Sequence, residues 1–230
     1  MKKYTLFELE DYILNRLLYF CDYYKNENIT ESSYSDWNIR DVLGHINSWI
    51  NIAVNSLDLI KQKESFDDFN DIDILKFLEV IGNIDLLIFN NKNYKLYLNK
   101  SLKDTINDTK IILEKYKIML KIFDKNGLLD KEFPEGFSFS LLKYMAMDIG
   151  IHPIMHIMQH YLKRRDYNEF IKEVESSKIY FVQYSGNNVN EYNFTDYFEN
   201  KEEKINRFVE LGKINKNEFI NEIIKINKII

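Results

Sequence analysis

The stretch that decides the fold runs from residue 148 to residue 161 and reads DIGIHPIMHIMQHY. It holds three of the four histidines in the chain, His152, His156 and His160, each four residues after the last. Residues four apart lie on one face of an α-helix, one turn above another. The three imidazoles therefore form a single stripe on a helix. The remaining histidine, His45, lies far upstream in DWNIRDVLGHINSW, and in a helical bundle it alone could meet that stripe.

The composition favours long helices around an apolar core. Hydrophobic residues make up 45% and aromatic residues 15% of the 230 positions, which is ample for a core. Only 7 glycines and 2 prolines interrupt the chain, which argues against a loop-rich or all-β fold. A net charge of −5 provides no basic surface for nucleic acid. We therefore expect an all-α protein without a nucleic-acid partner.

The single cysteine, Cys21, excludes an internal disulfide framework. It lies in the run LLYFCDYY, where we expect it to pack as a small hydrophobic residue with a raised pKa and poor nucleophilicity. The N-terminal segment carries acids inside its apolar stretch, unlike a signal peptide. No window of about 18 uncharged apolar residues predicts a membrane span. These features predict a cytoplasmic protein without a membrane partner.

Hydrophobic periodicity predicts the principal helices before residue 166. They run over residues 5–24, 38–61 and 102–124, and from Ser138 or Ser140 to about Arg165, with the histidine stripe in the last. Ser35 or Asp36 is expected to cap the second helix, and Ser101 and Asn126-Gly127 to bound the third. Between them, one short helix and the start of another are separated at Gly82-Asn83, after an acidic loop at residues 64–73.

Beyond Asp166 the pattern weakens. Residues 168–177 predict a short helix, and KIYFVQY at residues 178–184 predicts a strand or an apolar loop. Two further helical pieces, at residues 204–212 and 217–230, are separated near Gly212. Pro153 predicts either a kink in the histidine helix or a new helix that starts there, because proline suits the first helical turn but disrupts the interior.

The histidine spacing suggests a metal site. Imidazole is a common metal ligand, and two histidines four apart on a helix can chelate one ion, with His45 as the available third ligand. Three successive turns reach one ion less easily, since His160 lies about 6 Å along the axis from His156. The pair is therefore either His152 with His156 or His156 with His160. The competing interpretation is that the histidines are hydrogen-bonded core or surface residues.

Other polar and aromatic residues have less specific roles. Asp148 lies one turn before His152 and could orient its ring or accept a proton, although it could equally be a solvated acid. Trp49 shares a helix face with His45 and is expected to be a core residue or a pocket wall. The sequence does not assign a catalytic residue.

The segment DWNIRDVLGHINSW resembles the second-helix signature of the DinB/YfiT-like superfamily, W-[ST]-x-[KR]-[DE]-x-[LI]-x-H-[LI]-x-x-W. The positions that match are Trp37, Arg40, Asp41, Leu43, His45 and Trp49. The superfamily's fourth-helix pattern, H-x-x-x-H-x-x-Q, is met by His152, His156 and Gln159. The resemblance covers about residues 5–165.

This resemblance implies an up-down-down-up four-helix bundle over residues 1–166, often a homodimer. Residues 167–230 would then be a mostly helical extension that packs on the bundle or mediates self-association. Many members hold zinc or nickel through one histidine of helix 2 and two of helix 4, which implies the ligands His45, His152 and His156. His160 has no counterpart in the pattern and would either support the site or serve as a packing residue.

Known activities in the superfamily imply a metal-dependent hydrolase or thiol-dependent S-transferase. Such an enzyme would act on a small electrophilic substrate, with water or a low-molecular-weight thiol as the nucleophile. One alternative is metal-free hydrolysis or sequestration of a toxin, as in the branch that resembles the ClbS/DfsB-like self-resistance proteins. The other is a non-enzymatic helical module that binds a partner or dimerises.

Overall fold

The computed structural model describes residues 4–29, 36–61, 85–125, 127, 129, 141–146, 150–184, 206, 209–210 and 213–227. Eight helices and no strand are present in these ranges, which confirms the predicted all-α class. In chain order the helices are α1 Leu6–Tyr23, α2 Ile39–Lys61, α3 Leu86–Tyr97, α4 Leu102–Lys125, α5 Leu141–Ala146, α6 His152–Lys163, α7 Tyr167–Tyr184 and α8 Lys216–Asn227.

The chain divides into two compact units. The first is Thr5–Gly150, with α1 to α5, and the second is Ile151–Ile230 together with Met1–Tyr4, with α6 to α8. The division predicted at residue 166, between a bundle and its extension, stays a prediction.

The first unit is built on α2, which packs against α3 and α4, while α1 packs against α4 and α5. Helices α1, α2 and α4 therefore pack together in one unit, and they correspond to three of the four helices of the predicted bundle. The buried apolar positions recur at helical spacing, and each large aliphatic or aromatic side chain contributes roughly 1.5–3 kcal/mol on burial. The core includes Leu9, Ile13, Leu17 and Phe20 of α1, Leu43, Ile46 and Ile50 of α2, and Leu113, Tyr116, Leu120 and Phe123 of α4.

Side chains cap both α1 and α4, and the cap of α4 is Ser101, as predicted. The Thr5 hydroxyl accepts a hydrogen bond from the Glu8 backbone N–H at 3.2 Å, and the Glu8 carboxylate accepts one from the Thr5 N–H at 2.8 Å. This is a capping box, which satisfies two N–H groups that the helix itself leaves without partners. Ser101 likewise accepts from the Asp104 N–H at 3.1 Å, and Gly127 takes a φ of 65° after α4.

The predicted cap of α2 was wrong. Helix α2 begins at Ile39, so the capping position falls on Asn38, whose side-chain oxygen accepts from the Asp41 N–H at 3.2 Å. The Asp41 carboxylate accepts in return from the Asn38 N–H at 3.2 Å. Asp36 is exposed before the helix, and Ser35 lies outside the described residues. Asparagine followed three residues later by an acid was the better signal.

Pro153 lies in the first turn of α6, which begins at His152. The two preceding residues, Gly150 and Ile151, form a wider π-type turn, and Ile151 keeps helical angles of φ −70° and ψ −44°. The proline therefore lies in a first turn, which tolerates it. Residues 147–149 lie outside the described residues, so the choice between a kinked helix and a new helix stays a prediction. The predicted caps Ser138 and Ser140 lie outside the described residues.

The second unit has an aromatic core. Helix α6 packs against α7, and α8 packs against α7 through Phe219, whose ring lies 6.0 Å from Tyr167 and 6.1 Å from Phe170. Arg165 forms the turn between α6 and α7 and pairs with Glu218 of α8 at 3.2 Å. Helix α8 falls where the sequence predicts the second of the two C-terminal pieces, and Lys213, next to Gly212, takes a φ of 50°.

One sequence prediction failed in the second unit. Residues 178–184, predicted as a strand or an apolar loop, continue helix α7 to Tyr184. Isoleucine, tyrosine, phenylalanine and valine fit strands well, but this preference is weak and depends on context. Here the helix that begins at Tyr167 simply continues through them.

Candidate metal centre

His152 and His156 come together in the first two turns of α6. Their Nε2 atoms are 2.9 Å apart, and their rings meet edge to face with centroids at 4.6 Å and an interplanar angle of 83°. Both side chains are half-buried. The four-residue spacing alone left two pairs open, and the structure brings this pair's ring nitrogens together.

His160 is one turn further along α6 and only 1% exposed. Within the described part of the chain it does not join the group of histidines whose nitrogens lie close together. The helix therefore divides its histidine stripe into a pair at its N-terminal end and a buried residue behind it.

The environment of His152 favours neutral imidazole. Burial lowers the pKa of His152 from its ordinary value of 6.5 to about 4, because desolvation disfavours the charged ring. The ring is therefore uncharged at neutral pH. Neutral imidazole is the form that binds a metal, since a protonated nitrogen has no lone pair to donate.

His45 lies in the middle of the buried face of α2 and is 8% exposed. Two indole rings flank it. The ring of Trp37 lies 4.8 Å away with an interplanar angle of 46°, and that of Trp49 lies 6.4 Å away at 67°. These contacts restrict the positions that the His45 ring can take.

The turn before His45 is fixed by buried charges. Arg40 and Asp41 pair at 2.9 Å, and both side chains are almost completely buried. Arg40 also donates to the carbonyl oxygen of Leu98 at 3.0 Å, at the C-terminal end of α3. A buried pair with further hydrogen bonds holds its geometry well. These contacts tie the start of α2 to the end of α3 and so hold His45 in register.

Helix α3 contributes two residues that the sequence reasoning missed. The Trp49 Nε1–H donates to Asn90 Oδ1 at 3.2 Å, and the Phe89 ring meets the indole at 4.8 Å and 64°. Phe89 and Asn90 belong to no motif, so only the packing of α3 against α2 reveals them. Trp49, expected to be a core residue or a pocket wall, is half-buried beside His45.

His45, His152 and His156 could hold a metal ion. Each offers one ring nitrogen, and the three nitrogens all lie within 4.8 Å of one another. This is compatible with a divalent metal. Asp148, the predicted acceptor for His152, lies outside the described residues, and Gln159 is half-buried on α6.

Comparisons with known proteins do not identify the chain: no family model, no curated protein and no solved structure matches it. The resemblance to the DinB/YfiT-like superfamily therefore depends on the two motifs alone. In the described residues, no helix combines the length and the apolar character needed to cross a membrane.

Proposed function

We propose that this chain is a DinB-like enzyme that binds one divalent metal ion, zinc or nickel, through His45, His152 and His156. It would act as a hydrolase or a thiol-dependent S-transferase on a small electrophilic substrate. The observation that carries the proposal is the 2.9 Å separation of the His152 and His156 Nε2 atoms.

That separation suits two ligands of one ion. Nitrogens that each lie ~2.0–2.1 Å from an ion can be at most about 4.2 Å apart, and the pair is well inside this limit. A hydrogen bond between two neutral imidazoles would have a similar length. A third histidine nitrogen lies within 4.8 Å, which is about 0.6 Å beyond this limit at most, so a small movement of one ring would complete a set of three ligands. A hydrogen-bonded pair needs no third ring, and its presence therefore supports the metal.

The histidines and their neighbours have separate tasks in this proposal. A divalent ion would lower the pKa of a water molecule or thiol, so that hydroxide or thiolate is present near neutral pH. Desolvation lowers the pKa of the His152 ring, so the ring stays neutral at pH 7 and keeps its lone pair. Trp37 and Trp49 hold the His45 ring and shield it from solvent.

The superfamily assignment is part of the same proposal. It is supported by the two motifs and by a histidine on α2 and a histidine pair on α6 that stand in the order the superfamily uses. A low-molecular-weight thiol as co-substrate and a homodimeric assembly are the corresponding proposals for its partners.

Rates with simple electrophiles test the catalytic part. Untagged protein, stripped with EDTA and then reloaded with zinc or nickel, is assayed for two reactions. One is hydrolysis of p-nitrophenyl acetate, and the other is substitution of the chloride of 1-chloro-2,4-dinitrobenzene by the thiolate of glutathione or cysteine. We expect the loaded protein to exceed both the stripped protein and the free metal by at least tenfold, a modest demand for an enzyme.

The His156→Ala variant should lose this rate, and His160→Gln, altered one turn away, should keep it. A rate that survives EDTA and His156→Ala would instead support the metal-free alternative. No rate above free metal, with any of the probes, would leave a binding or dimerisation module as the better explanation.

A further inference from the structure

We infer that the indole of Trp49 is a stacking wall that selects substrates with a flat, unsaturated group beside His45. The inference deepens the proposed function, because it names the substrate class that the site beside His45 would accept. It depends on contacts among α2 and α3 residues of the first unit.

Three contacts fix the orientation of the Trp49 ring. Its N–H donates to Asn90 at 3.2 Å, the Phe89 ring meets it edge to face at 4.8 Å, and His45 lies at 6.4 Å. A tryptophan held by a hydrogen bond at one end and an aromatic edge at another loses most of its rotamer freedom. The wall is therefore ordered before any ligand arrives, which lowers the entropic cost of binding.

Trp49 is half-buried, whereas its neighbours on α2 from Asp41 to Ser48, and Ile50 after it, are all buried. The polar atom of the indole is already paired with Asn90. The ring's remaining surface is carbon, and an aromatic face prefers another flat π system or a ring edge. A saturated group of the same size gains hydrophobic contact there but not the stacking contribution.

The position of the wall gives it a role in the reaction. Trp49 lies one helical turn after His45, so a group stacked on the indole is held next to that histidine. A conjugated carbonyl, an activated aromatic halide or another planar electrophile has a flat group that can stack on the indole. It also has an electrophilic carbon that would then lie near His45. The selectivity comes from the flat group, and the reactivity comes from the electrophilic carbon attached to it.

Benzamide and cyclohexanecarboxamide form a matched pair of unreactive probes, since they share the amide and differ in whether the ring is flat. Chemical shifts of the Asn90 backbone amide and the two indole N–H groups report binding by NMR. We expect benzamide to bind about three- to tenfold more tightly, the range that an aromatic contact adds.

The Trp49→Leu variant should reduce this preference to within twofold, Trp49→Phe should keep part of it, and Leu96→Ala, at an exposed position of α3, should leave it unchanged. Circular dichroism confirms that each variant is folded. The comparison of the two probes in the unaltered protein decides the question even if Trp49→Leu does not fold.

Titrations in EDTA and after nickel loading separate the two proposals. A preference for benzamide in EDTA supports the wall, even if no metal-dependent rate is ever found. Equal affinities for the two probes, or benzamide binding that requires nickel, would overturn the wall while leaving the metal proposal intact.

Discussion

At the scale of single residues, burial keeps both His152 and Cys21 uncharged at neutral pH, with opposite consequences. For His152, an uncharged ring is the form that can bind a metal. For Cys21, burial raises the pKa of the thiol to about 12, which removes the nucleophilic thiolate. The sequence predicted this for Cys21 from its apolar neighbours, and the structure confirms it.

The Cys21 thiol should therefore react very slowly in the native protein. At pH 8, we expect its reaction with 5,5′-dithiobis(2-nitrobenzoic acid) to be at least 100-fold slower than in 6 M guanidinium chloride, where the pKa returns to about 8.5. Absorbance at 412 nm measures the rate, and Cys21→Ala supplies the blank. Native and denatured rates within tenfold of each other would contradict this account.

Burial of the Glu10 carboxyl group destabilises the folded protein when the group is ionised. It is 2% exposed, and burial raises its pKa even though Lys117 Nζ lies 3.2 Å away and acts in the opposite direction. Because the folded-state pKa is above the ordinary value of 4.5, the unfolded chain holds the ionised form more easily. The destabilisation is fully present at neutral pH and disappears as the pH falls through the folded pKa.

We therefore expect Glu10→Gln to be as stable as the unaltered protein or slightly more stable at pH 7, within the ~1 kcal/mol typical of single substitutions. Urea unfolding at pH 7 and pH 4 measures the difference, which should shrink at the lower pH. A clear loss of stability in Glu10→Gln at pH 7 would show that the pair with Lys117 outweighs the cost of burial.

At the scale of helices, the close approach of α3 to α2 depends on Gly44. A Cβ atom built at Gly44 would lie 2.7 Å from Cδ2 and 2.8 Å from Cβ of Tyr97, with Cγ in contact as well. These are atoms near the root of a buried ring, so they cannot move aside without displacing α3. The glycine stands immediately before His45 and thus controls the spacing on which the His45 environment depends.

Gly44→Ala should destabilise the protein by about 1–3 kcal/mol, the usual cost of overpacking, although alanine is otherwise the better helix former. Urea unfolding measures the loss. In a Tyr97→Ala background the same substitution should cost much less, because the obstructing ring is absent. A Gly44→Ala variant that is as stable as its parent would contradict the close packing of α2 against Tyr97 of α3.

The turn between α6 and α7 places Arg165 at a φ of 62°, where glycine is favoured at a helix C-terminus. The Asp166 N–H donates across this turn to the Tyr161 carbonyl oxygen at 2.9 Å. Arg165→Gly should therefore be more stable than Arg165→Ala by about 0.5–1 kcal/mol.

The order should reverse at Lys172, inside α7, where alanine should exceed glycine by a similar amount. Thermal unfolding of the four variants gives both differences. Equal signs at the two positions would contradict the left-handed conformation of Arg165.

Helical periodicity predicted most of these elements because the buried residues of α1, α2 and α4 recur every three or four positions. It failed at residues 178–184, where the β-propensity of the residues favoured a strand but the helix that begins at Tyr167 continues to Tyr184. The cap of α2 failed for a local reason, since Ser35, Asp36 and Asn38 all qualify by type. Spacing also left the histidine pair open, and it could not reveal Phe89 or Asn90, which reach Trp49 through packing alone.

At the scale of the whole molecule, a metal centre would draw its ligands from helices that are far apart in the chain, α2 and α6. Such a site exists only when the chain is folded, so metal binding and folding are linked. Release of the bound ion on denaturation would distinguish such a site from the weak binding of ions by scattered surface histidines and carboxylates.

The measurement that tests this central claim most directly is the metal content of untagged protein, purified without a metal-affinity column. The protein is equilibrated with nickel or zinc, desalted and measured by inductively coupled plasma mass spectrometry. We expect about one ion per chain in the unaltered protein and in His160→Gln, and close to none in His45→Ala and His156→Ala. An unaltered protein without metal, or a His156→Ala variant that holds as much metal as its parent, would contradict the account.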